Sequence, residues 1–224
     1  MKSDNLNFYE VDPAYVKYLQ AAETAERGFS RIPNMEYSSD RKNKFLCGIV
    51  LQINGHSYFA PVTSYKLQKP DNFLIYSASG NVVASLRFNY MFPINLTDVK
   101  IKTINDITDE KYKSLVSQEL RHCIQHQDTI RAMAARTYKR VVAGHNPGLV
   151  HNSCNFILLE KCCLEYAEKQ ASAEQTKSTV AVDAPVAKRT SLFDRMAAAE
   201  AEAARRNAER SNTQPPRSKT PERE

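Results

Sequence analysis

Residues 44–66, KFLCGIVLQINGHSYFAPVTSYK, constrain the fold more than any other stretch of this chain. Residues 45–53 and 56–62 are rich in β-branched and aromatic side chains, which suit a pleated, half-buried surface. Asn54-Gly55 lies between them, a dipeptide that tolerates the two positive φ angles of a type I′ turn. A two-stranded hairpin is therefore predicted. Its second strand runs into Thr63-Ser64-Tyr65-Lys66, and pairing around the turn brings Lys44 to the same end. Two ammonium groups and two hydroxyls converging on one sheet end suit a phosphate. Solvated lysines and hydroxyls at strand ends are common, so this geometry alone does not choose between a phosphate site and a wet surface.

The chain has 224 residues, enough for one domain with an appendage. Its formal charge of +6 and pI near 9.0 favour an anionic partner without selecting RNA over DNA or membrane. From Ala187 onward nine Lys/Arg stand against six Asp/Glu, so +3 of the +6 belongs to the tail. The body is only mildly basic, and a nucleic-acid site there must be a local cluster. The five cysteines, Cys47, Cys123, Cys154, Cys162 and Cys163, fit no zinc spacing and read as small buried apolar residues in a reducing cytoplasm. No stretch approaches the roughly twenty apolar residues of a membrane span, and the first residues lack the apolar core of a leader. A soluble cytoplasmic protein without metal or other cofactor is expected.

Residues 6–11 read as a first strand. Asp12-Pro13 then starts a helix, with Asp as N-cap and Pro at the first helical position, and Tyr15, Val16, Leu19 and Ala22 form its inner stripe. Residues 27–43 are a polar loop that holds Tyr37 and the basic pair Arg41-Lys42. Beyond the hairpin, residues 73–76 and 82–88 are two strands joined by Ser79-Gly80-Asn81. Residues 90–94 are apolar and extended, and residues 99–104 (VKIKTI) form a sixth strand with outward lysines. After Thr108 the apolar period becomes helical. It continues to Val141 as one bent helix or two, with a break at His126-Gln127-Asp128. Gly144 and Asn146-Pro147-Gly148 end it, and a last helix covers 156–169. The order predicts an α+β fold: a highly twisted antiparallel sheet of about six strands with surrounding helices. Residues 1–169 form the domain. Residues 170–224 form an extension, with a linker to 188, an Ala-rich helix introduced by Ser191-Leu192-Phe193-Asp194, and a proline-bearing disordered tail from 211.

The run FLCGIVLQINGHSYFAPVTSYK closely resembles the ToxN/AbiQ family, the toxin endoribonucleases of type III toxin–antitoxin systems. The matching segments are Gly48-Ile49-Val50-Leu51, Gly55-His56-Ser57-Tyr58 and Ala60-Pro61-Val62-Thr63-Ser64-Tyr65-Lys66. FYEVDPAYVKYL, LRFNYMFPI and SCNFILLEK are similar to further family segments in the same order, so the resemblance spans about three quarters of the chain. It implies metal-independent RNA cleavage, typically at adenine-rich sites. It also implies inhibition by a repeated antitoxin RNA, which the toxin cuts into pseudoknot units, and a closed assembly of toxin and RNA.

By motif, the resemblance makes Lys44, Thr63, Ser64 and Lys66 the catalytic set. Tyr15, Tyr37, Arg41 and Lys42 become RNA-binding candidates, with Tyr37 a looser match because its gap to Lys44 is long. Cleavage of this kind uses the substrate's own 2′-hydroxyl as nucleophile. The enzyme must aid its deprotonation, neutralise the phosphorane and protonate the 5′-oxygen. Lysines, hydroxyls and tyrosines can fill these roles. Tyr15 reads equally as a core aromatic on an amphipathic helix, and His56, His122 and His126 as satisfied or surface histidines. Ser117 stands where some family members place an inward aromatic. Two other functions fit the same residues: a non-catalytic RNA-binding protein on this scaffold, and a protein-interaction factor acting through residues 191–210.

Overall fold

In the computed structural model, which describes residues 5–35 and 44–182 (side chains through 173), the hairpin forms as its turn chemistry requires. β2 (Leu46–Ile53) and β3 (His56–Thr63) pair antiparallel. Asn54 has φ 50° and Gly55 φ 79°, both left-handed, as a type I′ turn demands. The register shifts once: Cys47 faces Ala60, but Leu51 faces Tyr58. Four steps along β2 thus match two along β3, and Gly48 lies in that bulge. The fully buried Phe59 ring fills the space that a Cβ on Gly48 would need. The glycine is required for close approach of ring and backbone.

β1 (Asn7–Val11) extends the sheet beyond β2, and β7 (Val99–Ile101) extends it beyond β1. On the other side, β3 shares its free edge between two strands. The two-residue β6 (Phe92–Pro93) pairs with Tyr58 and Phe59, while β5 (Val82–Arg87) pairs with Val62 and Thr63. β4 (Asn72–Tyr76) completes the order β4-β5-β3-β2-β1-β7. Among the described residues the sheet has seven strands, one more than expected, because the extended run 90–94 pairs briefly with β3 as β6.

α1 (Pro13–Arg27) starts as its sequence demands: the Ala14 N–H donates to Asp12 Oδ1 at 2.8 Å, with Pro13 first in the helix. Gly28 ends it at φ 78°. Its inner stripe holds Tyr15, Val16 and Leu19, but also Glu23, which is fully buried. Glu23 accepts from Arg27 Nη1 (2.9 Å), Ser30 Oγ (2.8 Å), and the N–H groups of Arg31 and Asn155 (2.7 Å each). Four donors compensate the desolvation of this carboxylate and join the end of α1 to the start of the last helix.

The long helical pattern resolves into α2 (Glu110–Gln125) and α3 (Gln127–Val142), broken at His126. Asn146-Pro147, expected only to terminate, instead opens the short α4 (Pro147–His151), because the Asn146 side chain caps the Leu149 N–H. α5 runs Phe156–Val182, past the expected end at 169. Residues 170–182 lack an apolar period, but Ala, Gln, Glu and Lys keep helical propensity without one. The compact unit ends at Ser172. The predicted helix at 191–210 and the tail lie outside the described residues. Lys102 also departs from expectation. β7 stops at Ile101, so the alternation fails: Ile101 is exposed, while Lys102 folds against Glu10 Oε1 (2.6 Å) and the Phe45 ring.

A second buried carboxylate ties the helices to the hairpin. Glu160 of α5 accepts from Tyr58 and Tyr138 hydroxyls at 2.8 Å each and from Asn54 Nδ2 at 3.4 Å. Phe156 stacks on Tyr138 and meets Tyr58 edge-on. Burial and the Glu160 contact push both tyrosine hydroxyls above their ordinary range.

Gly48→Ala should lower the unfolding free energy by about 1–3 kcal/mol through overpacking against Phe59, read from the urea midpoint at unchanged m. On α2, burial raises the Glu119 carboxyl from 4.5 to about 7. Because the folded value lies above the unfolded one, its contribution is greatest at low pH and falls as pH climbs through that window. Glu119→Gln should therefore stabilise the protein by about 1–3 kcal/mol at pH 8 and leave it unchanged near pH 4. Urea titrations at the two pH values check this; equal gains at both would refute it.

Candidate active site

The hairpin register continues to its open end. Leu46 faces Pro61, and the Val62 N–H donates to Phe45 O at 3.1 Å, so Lys44 comes level with Thr63 across the ribbon. Lys44 Nζ donates to the Asn34 carbonyl at 2.6 Å, which fixes its side chain beside the segment that follows α1. Thr63 is half-buried, whereas Ser64 and Lys66 are exposed. The four residues thus share one end of β2–β3, opposite the turn tied to Glu160.

β5 holds this end in shape. Thr63 pairs with Ser85, and Thr63 Oγ1 lies 3.3 Å from Ser85 Oγ and 3.4 Å from Ser85 O. The fully buried Ser85 hydroxyl donates to Tyr65 O at 2.6 Å. Since Ser85 gives its proton to Tyr65, Thr63 is the donor between the two hydroxyls. Two strand positions further, Arg87 Cζ sits 4.8 Å from the Tyr65 ring centroid and 4.6 Å from that of Tyr90. Sequence reasoning missed Ser85 and Arg87. The available signal was a serine and an arginine two residues apart, hence on one strand face, in the otherwise apolar run VVASLRF.

Tyr15 takes the core place. It is fully buried, donates its hydroxyl to Pro93 O at 2.7 Å and meets Tyr166 edge-on. Burial drives its hydroxyl far above the ordinary tyrosine range, so in this arrangement it neither stacks on a base nor offers a proton. Tyr37, Arg41 and Lys42 lie outside the described residues. Ser117 turns its hydroxyl back onto Lys113 O at 2.7 Å. His122 and His126 pack against each other and Phe73, and burial together with His126 lowers the His122 pKa. Burial raises the thiols of Cys154, Cys162 and Cys163, which makes them poor nucleophiles. A cavity of about 440 Å³ near β1 and β7 is lined by Glu10, Asp12, Asp98 and Lys100, with Glu10 paired to Lys102.

An open antiparallel sheet with flanking helices defines an α+β protein, and one end of its central ribbon carries two lysines and two hydroxyls. The family model described as toxin ToxN of type III toxin–antitoxin systems matches residues 7–164, and the chain belongs to that family. It is similar to the endoribonuclease ToxN of Pectobacterium atrosepticum, with 25% identity over 76% of this chain and 99% of that protein. It is also similar to the endoribonuclease ToxN of Bacillus thuringiensis subsp. kurstaki, with 25% identity over 78% and 91%. Among solved structures, a type III toxin inhibited by a non-coding RNA pseudoknot superposes with a TM-score of 0.65 at 23% identity, over 74% of this chain and 99% of that one. The lactococcal anti-phage endoribonuclease AbiQ superposes with a TM-score of 0.62 at 20% identity, over 73% and 99%. These two likenesses speak for the fold.

If Tyr15 is structural, Tyr15→Phe should cost about 1–3 kcal/mol, because the buried Pro93 carbonyl loses its donor. Chemical denaturation measures this, and an unchanged unfolding free energy would contradict the core assignment.

Proposed function

We propose that this chain is the endoribonuclease toxin of a type III toxin–antitoxin system, acting in defence against phage and held inactive by an antitoxin RNA of pseudoknot repeats. The observation that carries the reading is the match over residues 7–164, a span that contains the whole Lys44–Lys66 ribbon. Further support comes from the two relatives of that activity, which align along almost their entire lengths.

The chemistry follows from what the ribbon end offers. RNA carries its own nucleophile next to the phosphorus, so the protein must chiefly orient the backbone and absorb charge. Lys66 and Lys44 flank the phosphodiester and neutralise the phosphorane as negative charge builds on its oxygens. Thr63 and Ser64 hold the scissile phosphate or engage the 2′-hydroxyl: oriented through Ser85, Thr63 can accept from the 2′-hydroxyl, and to donate to the phosphate it turns its proton away from Ser85. One lysine exchanges the proton that passes to the 5′-oxygen. Attack by the 2′-oxygen breaks the P–O5′ bond and leaves a 2′,3′-cyclic phosphate and a 5′-hydroxyl. These four side chains can carry the charge themselves, so the reaction is written without a metal. The same ribbon end serves the antitoxin: repeat units cut by the toxin remain bound across it and close an assembly of toxin and RNA. Residues 1–169 carry this activity, and 170–224 are an extension to it.

Adenine-rich RNA incubated with the full chain in EDTA should be cut to cyclic-phosphate ends. Lys66→Ala should lower the rate about 10²–10³-fold with an unchanged melting curve, since Lys66 is exposed. RNA that binds tightly but stays intact would favour a non-catalytic RNA-binding role instead.

A further inference from the structure

Arg87 and its neighbours form a second feature beside the candidate cleavage site, one that no motif predicted. A cavity of about 420 Å³ is lined by Lys69, Asp71, Arg87, Asn89, Tyr90 and Arg140, among others. Three cations face it against one carboxylate. Lys69 and Arg140 are exposed, and Arg87 is half-buried on its tyrosine contacts. The cavity adjoins the Thr-Ser-x-Lys end physically, because the Tyr65 ring under Arg87 belongs to the residue between Ser64 and Lys66.

The polar bookkeeping of the cavity wall is incomplete. Asn89 is 2% exposed; its Nδ2 donates to Asn152 O at 2.6 Å and its main-chain carbonyl accepts from the Cys154 N–H. The Nδ2 bond fixes the amide orientation, since a flipped amide would set oxygen against oxygen. Asn89 Oδ1 is then a buried acceptor without a donor, and Arg87 Nε a buried donor without an acceptor. Buried polar atoms are almost always paired, so two orphans two residues apart in the chain, both on residues of one cationic cavity, call for a ligand that carries both kinds of group.

We propose that this cavity is a nucleotide subsite for the RNA strand that passes the cleavage site. The phosphate is held by Arg87, Arg140 and Lys69. The base presents an exocyclic amino group to Asn89 Oδ1, which favours adenine, cytosine or guanine over uracil. Both orphan atoms are screened from solvent, so entry requires a wall side chain to move. Tyr90 is the movable member: it is half-buried on a short 3-10 turn and held to Arg87 by a cation–π contact. The arginine is thereby stored near its target without an ion pair that the phosphate would first have to break. This inference deepens the nuclease reading and rests on it for the identity of the strand.

The test measures binding apart from cleavage. Fluorescence anisotropy of the full chain with 2′-O-methylated adenine-rich oligoribonucleotide, which offers no free 2′-hydroxyl, gives Kd. The Lys69→Ala/Arg140→Ala double variant alters only exposed side chains and should weaken binding about tenfold. It should also reduce the slope of log K against log salt by about 1.4, since each single-strand phosphate contact contributes about 0.7. Replacing the adenines by unsubstituted purine, which lacks the amino group, should weaken wild-type binding about tenfold. That penalty should shrink below twofold in Asn89→Ala. If Asn89→Ala does not fold, the same shrinkage is expected in the double variant, whose weaker grip on the phosphate releases the base. Unchanged Kd and slope in the double variant, or equal affinity for adenine and purine oligomers, overturns the subsite. Wild-type cleavage in EDTA is scored separately. A chain that binds with these signatures but does not cut refutes the nuclease reading alone, and one that cuts without them refutes the subsite alone.

Discussion

The buried Glu160 carboxylate is the constraint on which the arrangement of the sheet depends. A carboxylate taken from water without partners would cost several kcal/mol, so the fold must bring donors to it. The donors come from three places: Tyr58 on β3, Tyr138 on α3 and Asn54 in the turn. Satisfying one charge therefore fixes the hairpin's closed end against two helices. Glu23 does the same between α1 and α5, with main-chain and side-chain donors from 27, 30, 31 and 155. Each Glu23 oxygen and Glu160 Oε1 takes two donors, and so many bonds converging on one buried group specify a single packing.

Anchoring at one end decides what the other end is free to do. The open end of β2–β3 gives Phe45, Leu46, Cys47 and Ala60 to the core and leaves Ser64 and Lys66 exposed. The edge of β3 is divided between β6 and β5, and it is β5 that meets Thr63. Ser85 then acts as a relay of position. Its hydroxyl accepts a hydrogen bond from Thr63 and donates one to the Tyr65 carbonyl, so the three residues cannot rotate independently. With its one proton directed to Ser85, the Thr63 hydroxyl turns its lone pairs to its other neighbours.

Local chemistry made much of this legible. Asn54-Gly55, Asp12-Pro13 and the helix break at His126 each declare themselves by backbone preference, and each is where the sequence places it. Tertiary demands hid the rest. Pairing of β6 needs only two residues and shows no alternation. Glu23 and Glu119 look like solvated helix positions until their partners or burial are known. Lys102 breaks the strand period because β7 ends one residue before it. In the site, Lys44, Thr63, Ser64 and Lys66 follow from hairpin register, whereas Ser85 and Arg87 depend on which strand lies beside β3, and sequence order does not say. Tyr15 shows the converse limit: helical spacing marks an inward face, and an inward tyrosine with a carbonyl acceptor serves the core as well as a groove would.

Charge placement, rather than total charge, separates the cavity near β1 from the one beside β5. Both are of similar size, but the one near β1 gathers Glu10, Asp12 and Asp98, while the one beside β5 gathers Lys69, Arg87 and Arg140. The ribbon end thus has its cationic neighbour on the β5 side. Arginine is the suitable cation at the junction because its planar guanidinium can lie on the tyrosine rings and still direct its N–H edge outward, which a lysine ammonium cannot do. The sheet order, which puts β5 and not β1 next to Thr63, is what sets the cationic cavity beside that end of the ribbon.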